Sequence, residues 1–173
     1  IGVFICGMMV GRTPEYLGKK VETREMKYAL PALLMHPLCI LGGMAIFCLI
    51  PSWGRDTVLN LGFHGFTEML YEFTSASANN GSGFEGLADN TMFWNITTGL
   101  AMFFGRYLSI VIQLAIAGSL MRKQFVNDSI GTLRTDSATF TIGLVCVVYI
   151  FAALTFFPAL ALGPIAEHLT LWG

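Results

Sequence analysis

Charge is scarce in this sequence. Asp, Glu, Lys and Arg make up 12% of its 173 residues, whereas a soluble globular domain carries about 25%. The net charge is −1, and no basic stripe is interleaved with aromatic residues, so nothing supports nucleic-acid binding. The apolar residues, 54% of the chain, occur in long uninterrupted blocks. Together these features exclude a soluble class and predict an all-α integral membrane protein within a lipid bilayer.

The sequence also lacks the residue spacings of metal and catalytic sites. Its cysteines all lie in apolar blocks without a C-x-x-C pair, and its three histidines are scattered. These residues are Cys6, Cys39, Cys48 and Cys146, and His36, His64 and His168. No nucleophile–base pair, nucleotide loop or pair of catalytic carboxylates is visible. We therefore expect no zinc or disulfide framework, no organic cofactor and no catalytic site in this chain.

Apolar runs of membrane-spanning length divide the chain. The first run, residues 1–10, predicts the end of a spanning helix. Because the chain begins inside that run and without Met, we expect it to be part of a longer protein. Complete spans are predicted at 28–50, 93–121 and 139–163, with polar segments at 11–27, 51–63 and 122–138 and a short tail at 164–173.

The basic residues predict the orientation. Eight of the ten Lys and Arg residues lie in the segments 11–27 and 122–138. Cytoplasmic loops carry such an excess, so we place both segments in the cytoplasm. The loop between the second and third predicted spans and the C-terminal tail then face outward.

A short polar helix and a glycine-rich run, Thr74–Gly86, lie between the spans 28–50 and 93–121. The helix is predicted at 64–78 and would cover only about 22 Å, less than the roughly 30 Å hydrocarbon core. Non-helical backbone at that depth is tolerated only where protein or a wet cavity surrounds it. The pattern therefore predicts a re-entrant pore loop, with a pore helix at 64–78 and an ion selectivity filter at 79–86.

Glycine-rich backbone suits a filter because stacked carbonyl oxygens replace the water around a cation. Glycine reaches the unusual backbone angles that this requires at little cost. The candidate ion-binding residues are Ala78, Asn79, Asn80, Gly81, Ser82 and Gly83. A glycine-rich surface turn is the alternative that composition leaves open.

The same run contains G-x-G-x-x-G at Gly81, Gly83 and Gly86. A dinucleotide site requires a strand before this motif and a helix after it. Here a polar helix precedes it, and no strand pattern is legible. A membrane oxidoreductase that binds a dinucleotide is therefore a weaker hypothesis.

Arg106 stands near the middle of the span 93–121. An Arg at this depth costs at least about 2.5–3.5 kcal/mol, so it should face a partner or water. A role in ion gating and coupling and a structural ion pair are both compatible with this position.

Six ordered blocks resemble the C-terminal part of the KdpA family, the potassium-binding subunits of bacterial Kdp potassium-transporting ATPases. They are GRTPEYLGKK (11–20), HGF-E (64–68), SANNGSGFEGL (77–87), GLAMFFGRY (99–107), LAIAGSL (114–120) and TFFPALALGPIAEHL (155–169).

The resemblance implies a potassium-channel-like fold with four helix–pore loop–helix repeats around one filter. Residues 1–27 would end the third repeat, 28–121 would form the fourth, and 139–173 would add a final transmembrane helix. Asn79, Asn80 and Gly81 match filter positions that hold K⁺ through the backbone, and Arg106 matches a residue linked to gating and coupling.

The resemblance also implies partners and a location in the bacterial inner membrane. These partners are a P-type ATPase catalytic subunit (KdpB), a single-span subunit (KdpC) and a small peptide (KdpF). A potassium channel or symporter working without ATP, and a purely structural membrane scaffold, remain alternatives. One repeat supplies one of four filter walls, so we expect these 173 residues alone neither to select nor to conduct potassium.

Overall fold

The computed structural model describes residues 1–84, 86–127 and 131–172, and these residues are mostly helical. Glu85 of the predicted filter, residues 128–130 of the predicted cytoplasmic loop and Gly173 lie outside the described residues. The helices are α1 (Gly2–Met9), α2 (Thr23–Leu49), α3 (Phe63–Ala78), α4 (Met92–Phe103), α5 (Ser109–Met121), α6 (Ala138–Leu154) and α7 (Phe157–Trp172). A 3₁₀ turn covers Arg55–Thr57, and a π-helical segment, Phe104–Leu108, joins α4 to α5.

Two helical stretches are long and apolar enough to cross a membrane, Thr23–Leu49 and Met92–Met121. The first begins five residues before the predicted span. Its early start has a local cause, because the Glu25 carboxylate accepts a 2.8 Å hydrogen bond from the backbone N–H of Glu22. A Glu that reaches back in this way caps a helix N-terminus.

The last part of the chain differs from the predicted single span 139–163 with a tail. It forms two helices, α6 and α7, with a break between them at residues 155–156. Pro158 explains the break: it has no N–H, and its ring would clash with the carbonyl of Leu154, where α6 ends. The predicted tail is helical because α7 continues through Pro164.

The segment 11–27, expected to be a loop, contains a two-stranded antiparallel hairpin, β1 (Glu15–Tyr16) and β2 (Lys19–Lys20). Its turn places Leu17 at φ 51° and Gly18 at φ 69°. Two consecutive positive φ angles match the twist of a tight hairpin. The strands are too short to give a recognisable alternation, which is why the all-α expectation missed them.

The chain divides into two compact units. The first comprises Ile1–Ala32 and Ile110–Ala153. Within it, Lys123 Nζ lies 2.7 Å from the buried Glu25 carboxylate and 3.0 Å from that of Glu22, and Ser119 donates to Glu25 at 2.5 Å. Burial alone would lower the pKa of Lys123, but its hydrogen bonds to the two carboxylates outweigh that effect and raise it. This network joins the start of α2 to the end of α5.

The second unit comprises Leu33–Ser109 and Leu154–Gly173. Its core is Ile40, Met44, Phe47, Met69, Leu70, Phe73 and Trp94. The rings of Phe47, Phe73 and Trp94 pack mutually, with centroids 4.2 to 5.1 Å apart. Aromatic residues from α2, α3 and α4 therefore pack α3 against both α2 and α4.

Two adjacent glycines of α2 test this packing. A methyl group on Gly43 would overlap the Phe73 ring, whereas one on Gly42 would meet no atom within 4 Å. We expect Gly43→Ala to destabilise the protein by about 1–3 kcal/mol, as overpacking does. Gly42→Ala should be neutral or stabilising by up to about 1 kcal/mol, because alanine favours helix. The midpoint temperature of unfolding in detergent measures the difference, and equal midpoints would contradict the packing described.

Candidate ion-binding loop

The helix α3 ends where the candidate filter begins. Asn79 adopts the left-handed conformation, φ 58° and ψ 31°, and its N–H donates to the Ala76 carbonyl. The next N–H, of Asn80, donates to the Ser75 carbonyl at 3.3 Å. A left-handed residue at this position ends a helix and satisfies its last carbonyls, and Asn is one of the few side chains that tolerate it. The negative end of the helix dipole therefore faces the loop.

Positive φ angles recur along the loop. Gly81 has φ 64° and Gly83 has φ 60°, and a Cβ built on either would meet no atom within 4 Å. Glycine is thus needed for its backbone angle and not for lack of space. Ala78, Asn80, Gly81, Ser82 and Gly83 are exposed, and Asn79 is half-buried. The loop is therefore exposed on the surface of this unit.

The side chain of Asn80 turns back toward α3. Its Oδ1 accepts hydrogen bonds from the Ser75 hydroxyl at 2.9 Å, the Ser82 hydroxyl at 3.0 Å and the Ser82 N–H at 3.1 Å. The Ser75 hydroxyl also accepts from the N–H of Gly83 at 3.3 Å. Ser75 is buried, so these bonds join the loop to the interior of the unit.

A stripe of four polar or aromatic side chains on α3 faces the returning chain. We call it the α3 stripe; it consists of His64, Glu68, Tyr71 and Ser75. Its intervals of four, three and four residues place all four on one helix face. Tyr71 shares a 2.9 Å hydrogen bond with the Ser82 hydroxyl, and its ring lies 5.3 Å from that of Phe84.

The C-terminal end of the loop is hydrogen-bonded to the segment before α3. The Leu59 N–H donates to the Gly86 carbonyl at 2.8 Å, and the Ala88 N–H donates to the Thr57 carbonyl at 2.8 Å. The indole N–H of Trp94 donates to the Thr57 hydroxyl at 2.9 Å. The backbone after the loop therefore has partners in the segment 57–59 as well as on α3.

Arg106 lies in the π-helical segment and is exposed, with no ion-pair partner among the described residues. Its neighbour Gly105 is buried, and a methyl group there would overlap the carbonyl oxygen of Ser77. The Asn79 amide nitrogen donates to the Met102 carbonyl at 3.1 Å. The π-helical region thus contacts the end of α3, immediately before the loop.

A histidine on α2 also reaches this point. His36 Nδ1 lies 2.9 Å from the hydroxyl of Ser77, which is fully buried. Across the described ranges, no cluster of three or more His, Cys, Asp or Glu side chains could hold a metal ion.

Comparison with known proteins identifies the relatives of this loop and its flanking helices. The sequence model of KdpA, described as "Potassium-transporting ATPase A subunit", matches residues 1–169. The chain belongs to the KdpA family. The resemblance seen in the six sequence blocks is therefore confirmed.

A KdpA protein of Geobacillus kaustophilus (strain HTA426), named potassium-transporting ATPase potassium-binding subunit, is 58% identical over 171 residues. The match covers 99% of this chain but 30% of that protein. The chain thus spans less than a third of the length of this KdpA relative.

Of the candidate residues, Ala78 is the last residue of α3, and residues 79–83 form the loop that follows it; Arg106 lies one residue from Gly105, which contacts the end of α3. Sequence reasoning did not single out Ser75 or Tyr71, and it named Glu68 only as part of the HGF-E block. A signal for them was present, since the α3 stripe repeats polar residues at helical spacing opposite the apolar core of a membrane protein. A search for that spacing would have found them.

Two neighbouring hydroxyls test how α3 supports the loop. Ser75→Ala removes the bonds to Asn80 and Gly83, whereas Thr74→Ala removes only a 2.8 Å bond to the Leu70 carbonyl of the same helix. Losing a partner for a buried polar group costs about 1–3 kcal/mol, so amide hydrogen exchange in residues 79–84 should rise roughly 5- to 100-fold in Ser75→Ala. Mass spectrometry of the detergent-solubilised full-length protein measures it. The same exchange in both variants would show that Ser75 does not hold the loop.

Proposed function

We propose that this chain is part of the potassium-binding and translocating subunit of an ATP-driven potassium uptake pump. In this proposal, residues 78–83 form the fourth wall of a four-walled selectivity filter. The observation that carries it is the passage of α3 into an exposed loop through Asn79, Gly81 and Gly83, all at positive φ, between two helices of membrane-spanning length.

Potassium is the proposed ion because the KdpA relative is named a potassium-binding subunit. Backbone carbonyls at Asn79, Asn80 and Gly81 would replace part of the hydration shell of K⁺, with moderate field strength so that the ion can leave again. The α3 dipole would add a favourable potential for a cation at the same place. The Asn80 side chain, bonded to Ser75 and Ser82, would support the loop and leave the ligand role to the backbone.

The other three walls would come from the rest of the full-length protein. ATP hydrolysis would belong to a separate P-type ATPase subunit, KdpB, with KdpC and KdpF completing a complex in the bacterial inner membrane. Segments 11–27 and 122–138 would face the cytoplasm, because eight of ten basic residues lie there. The filter loop and the C-terminal end would face outward.

Arg106 would act in gating or coupling below the filter. Three observations support this role: its exposure, its lack of an ion-pair partner within the described part of the chain, and the contact of the neighbouring Gly105 with Ser77. A positive charge near the inner end of a cation path raises the barrier to uncontrolled passage.

Uptake measurements in cells that lack other potassium transporters test the pump. We expect rubidium or potassium uptake at micromolar external concentration with the full-length protein and its ATPase subunit, and none without that subunit.

Gly81→Asp should weaken the apparent affinity at least about tenfold, because it puts a side chain and a charge where backbone lines the path. Gly11→Asp is the control, since Gly11 has φ 66° and equally open surroundings but lies outside the filter. Uptake without the ATPase subunit would favour a channel or symporter, and equal affinities in both variants would remove the filter assignment.

Arg106→Ala separates coupling from binding. We expect more ATP hydrolysed per ion transported, or a passive leak, while the apparent potassium affinity changes less than about threefold. Arg106→Lys keeps the charge and should behave closer to the native protein. Assays of ATP hydrolysis and uptake in reconstituted vesicles give the ratio. Parallel loss of binding and coupling, with poor assembly, would instead assign Arg106 to a structural ion pair in the complete subunit.

A further inference from the structure

Glu68 is a carboxylate with no exposed surface, in the second turn of α3. Its Oε1 accepts a 2.6 Å hydrogen bond from the side-chain amide of Asn60, in the segment that precedes α3. A buried carboxylate is costly unless hydrogen bonds stabilise it, so its retention here needs a structural or functional reason.

The returning limb of the filter loop lies directly on this pair. Gly86 has φ 108°, and a Cβ built there would overlap Glu68 Oε1 and lie 2.9 Å from the Asn60 amide nitrogen. The Gly86 carbonyl in turn accepts from the N–H of Leu59, the residue before Asn60. The Glu68–Asn60 pair therefore occupies the junction of three segments: α3, the segment before it and the C-terminal end of the filter loop.

The second carboxylate oxygen contributes no hydrogen bond to this junction. Oε2 is buried and has no partner among the described residues. His64 Nε2 lies 3.6 Å from Oε1, and the other ring nitrogen of His64 lies 3.3 Å from Glu167 on α7. The hydrogen bond from Asn60 is thus the short polar contact that Glu68 makes at this junction.

We infer that Glu68 is a positioning residue for the filter: through its hydrogen bond to Asn60 and its contact with Gly86, it fixes the C-terminal end of the filter loop and so sets ion selectivity. The inference rests on the proposed function. In this inference Glu68 does not contact the ion. It acts on selectivity through the length of its hydrogen bond to Asn60, and its negative charge plays no direct part.

Paired substitutions in the full-length complex separate geometry from charge. Glu68→Gln keeps an oxygen acceptor for Asn60 and places its amide where Oε2 has no partner, so apparent K⁺ affinity and the K⁺-to-Na⁺ uptake ratio should stay within about threefold of native. Glu68→Ala removes the acceptor, and both quantities should fall roughly tenfold. In Asn60→Asp one carboxylate faces another, so the K⁺ affinity and the uptake ratio should fall by a similar factor.

The double variant Asn60→Asp with Glu68→Gln reverses donor and acceptor. We expect it to recover most of the selectivity lost in Asn60→Asp, a rescue that general destabilisation would not produce. Asp56→Asn is the control for charge, because it removes an exposed carboxylate from the same outer segment; it should leave the uptake ratio unchanged. Uptake is normalised to assembled complex, so poor folding of one variant does not mimic a selectivity change.

Three results would overturn the inference. Loss of affinity in Glu68→Gln as large as in Glu68→Ala would mean that the charge itself attracts the ion. No rescue in the double variant would mean that the pair does not act as a unit. Native selectivity in Glu68→Ala, while Gly81→Asp still abolishes high-affinity uptake, would remove the role of Glu68 and leave the filter proposal intact.

Discussion

The hydrogen-bonding demand of non-helical backbone between membrane-spanning helices governs the rest of this structure. After α3 ends at Ala78, the following N–H and C=O groups no longer have helical partners. Here the partners come from the end of α3, from the hydroxyl of Ser75, from the amide of Asn80 and from the segment 57–59. The aromatic core of Phe47, Phe73 and Trp94 then serves to hold α3 where these groups can reach the loop.

Much of this arrangement was predictable from the sequence. The helix α3 begins one residue before its predicted start, and the described residues from 79 onward leave the helix. That this loop is a filter stays a prediction. The six sequence blocks led to the family that the comparison then showed. What composition could not supply was the direction of the Asn80 side chain, since an amide can bind an ion or its own backbone equally well and only the placement of Ser75 decides between them.

The errors have identifiable causes. The last span was predicted as one helix because hydropathy does not register the clash between Pro158 and the Leu154 carbonyl. The tail predicted at 164–173 belongs to α7, which continues through Pro164. The early start of α2 depends on the hydrogen bond from the Glu22 N–H to the Glu25 carboxylate. That capping pair was missed because it lies in a segment dense in charge, which looked like a loop. Glu68 was named in the HGF-E block but given no role of its own, because a single acid in a polar helix looks like a solvated surface residue. Only its complete burial against Asn60 and Gly86 distinguishes it.

The π-helical segment Phe104–Leu108 has a mechanical consequence. A π-turn contains one residue more than an α-turn, so moving that extra residue along the helix rotates only the residues it passes, by about 100° each, and leaves both helix ends in place. Arg106 lies at the centre of this segment, and Gly105 beside it rests on Ser77. A shift of the π-turn past Arg106 would therefore rotate this cationic side chain about the helix axis.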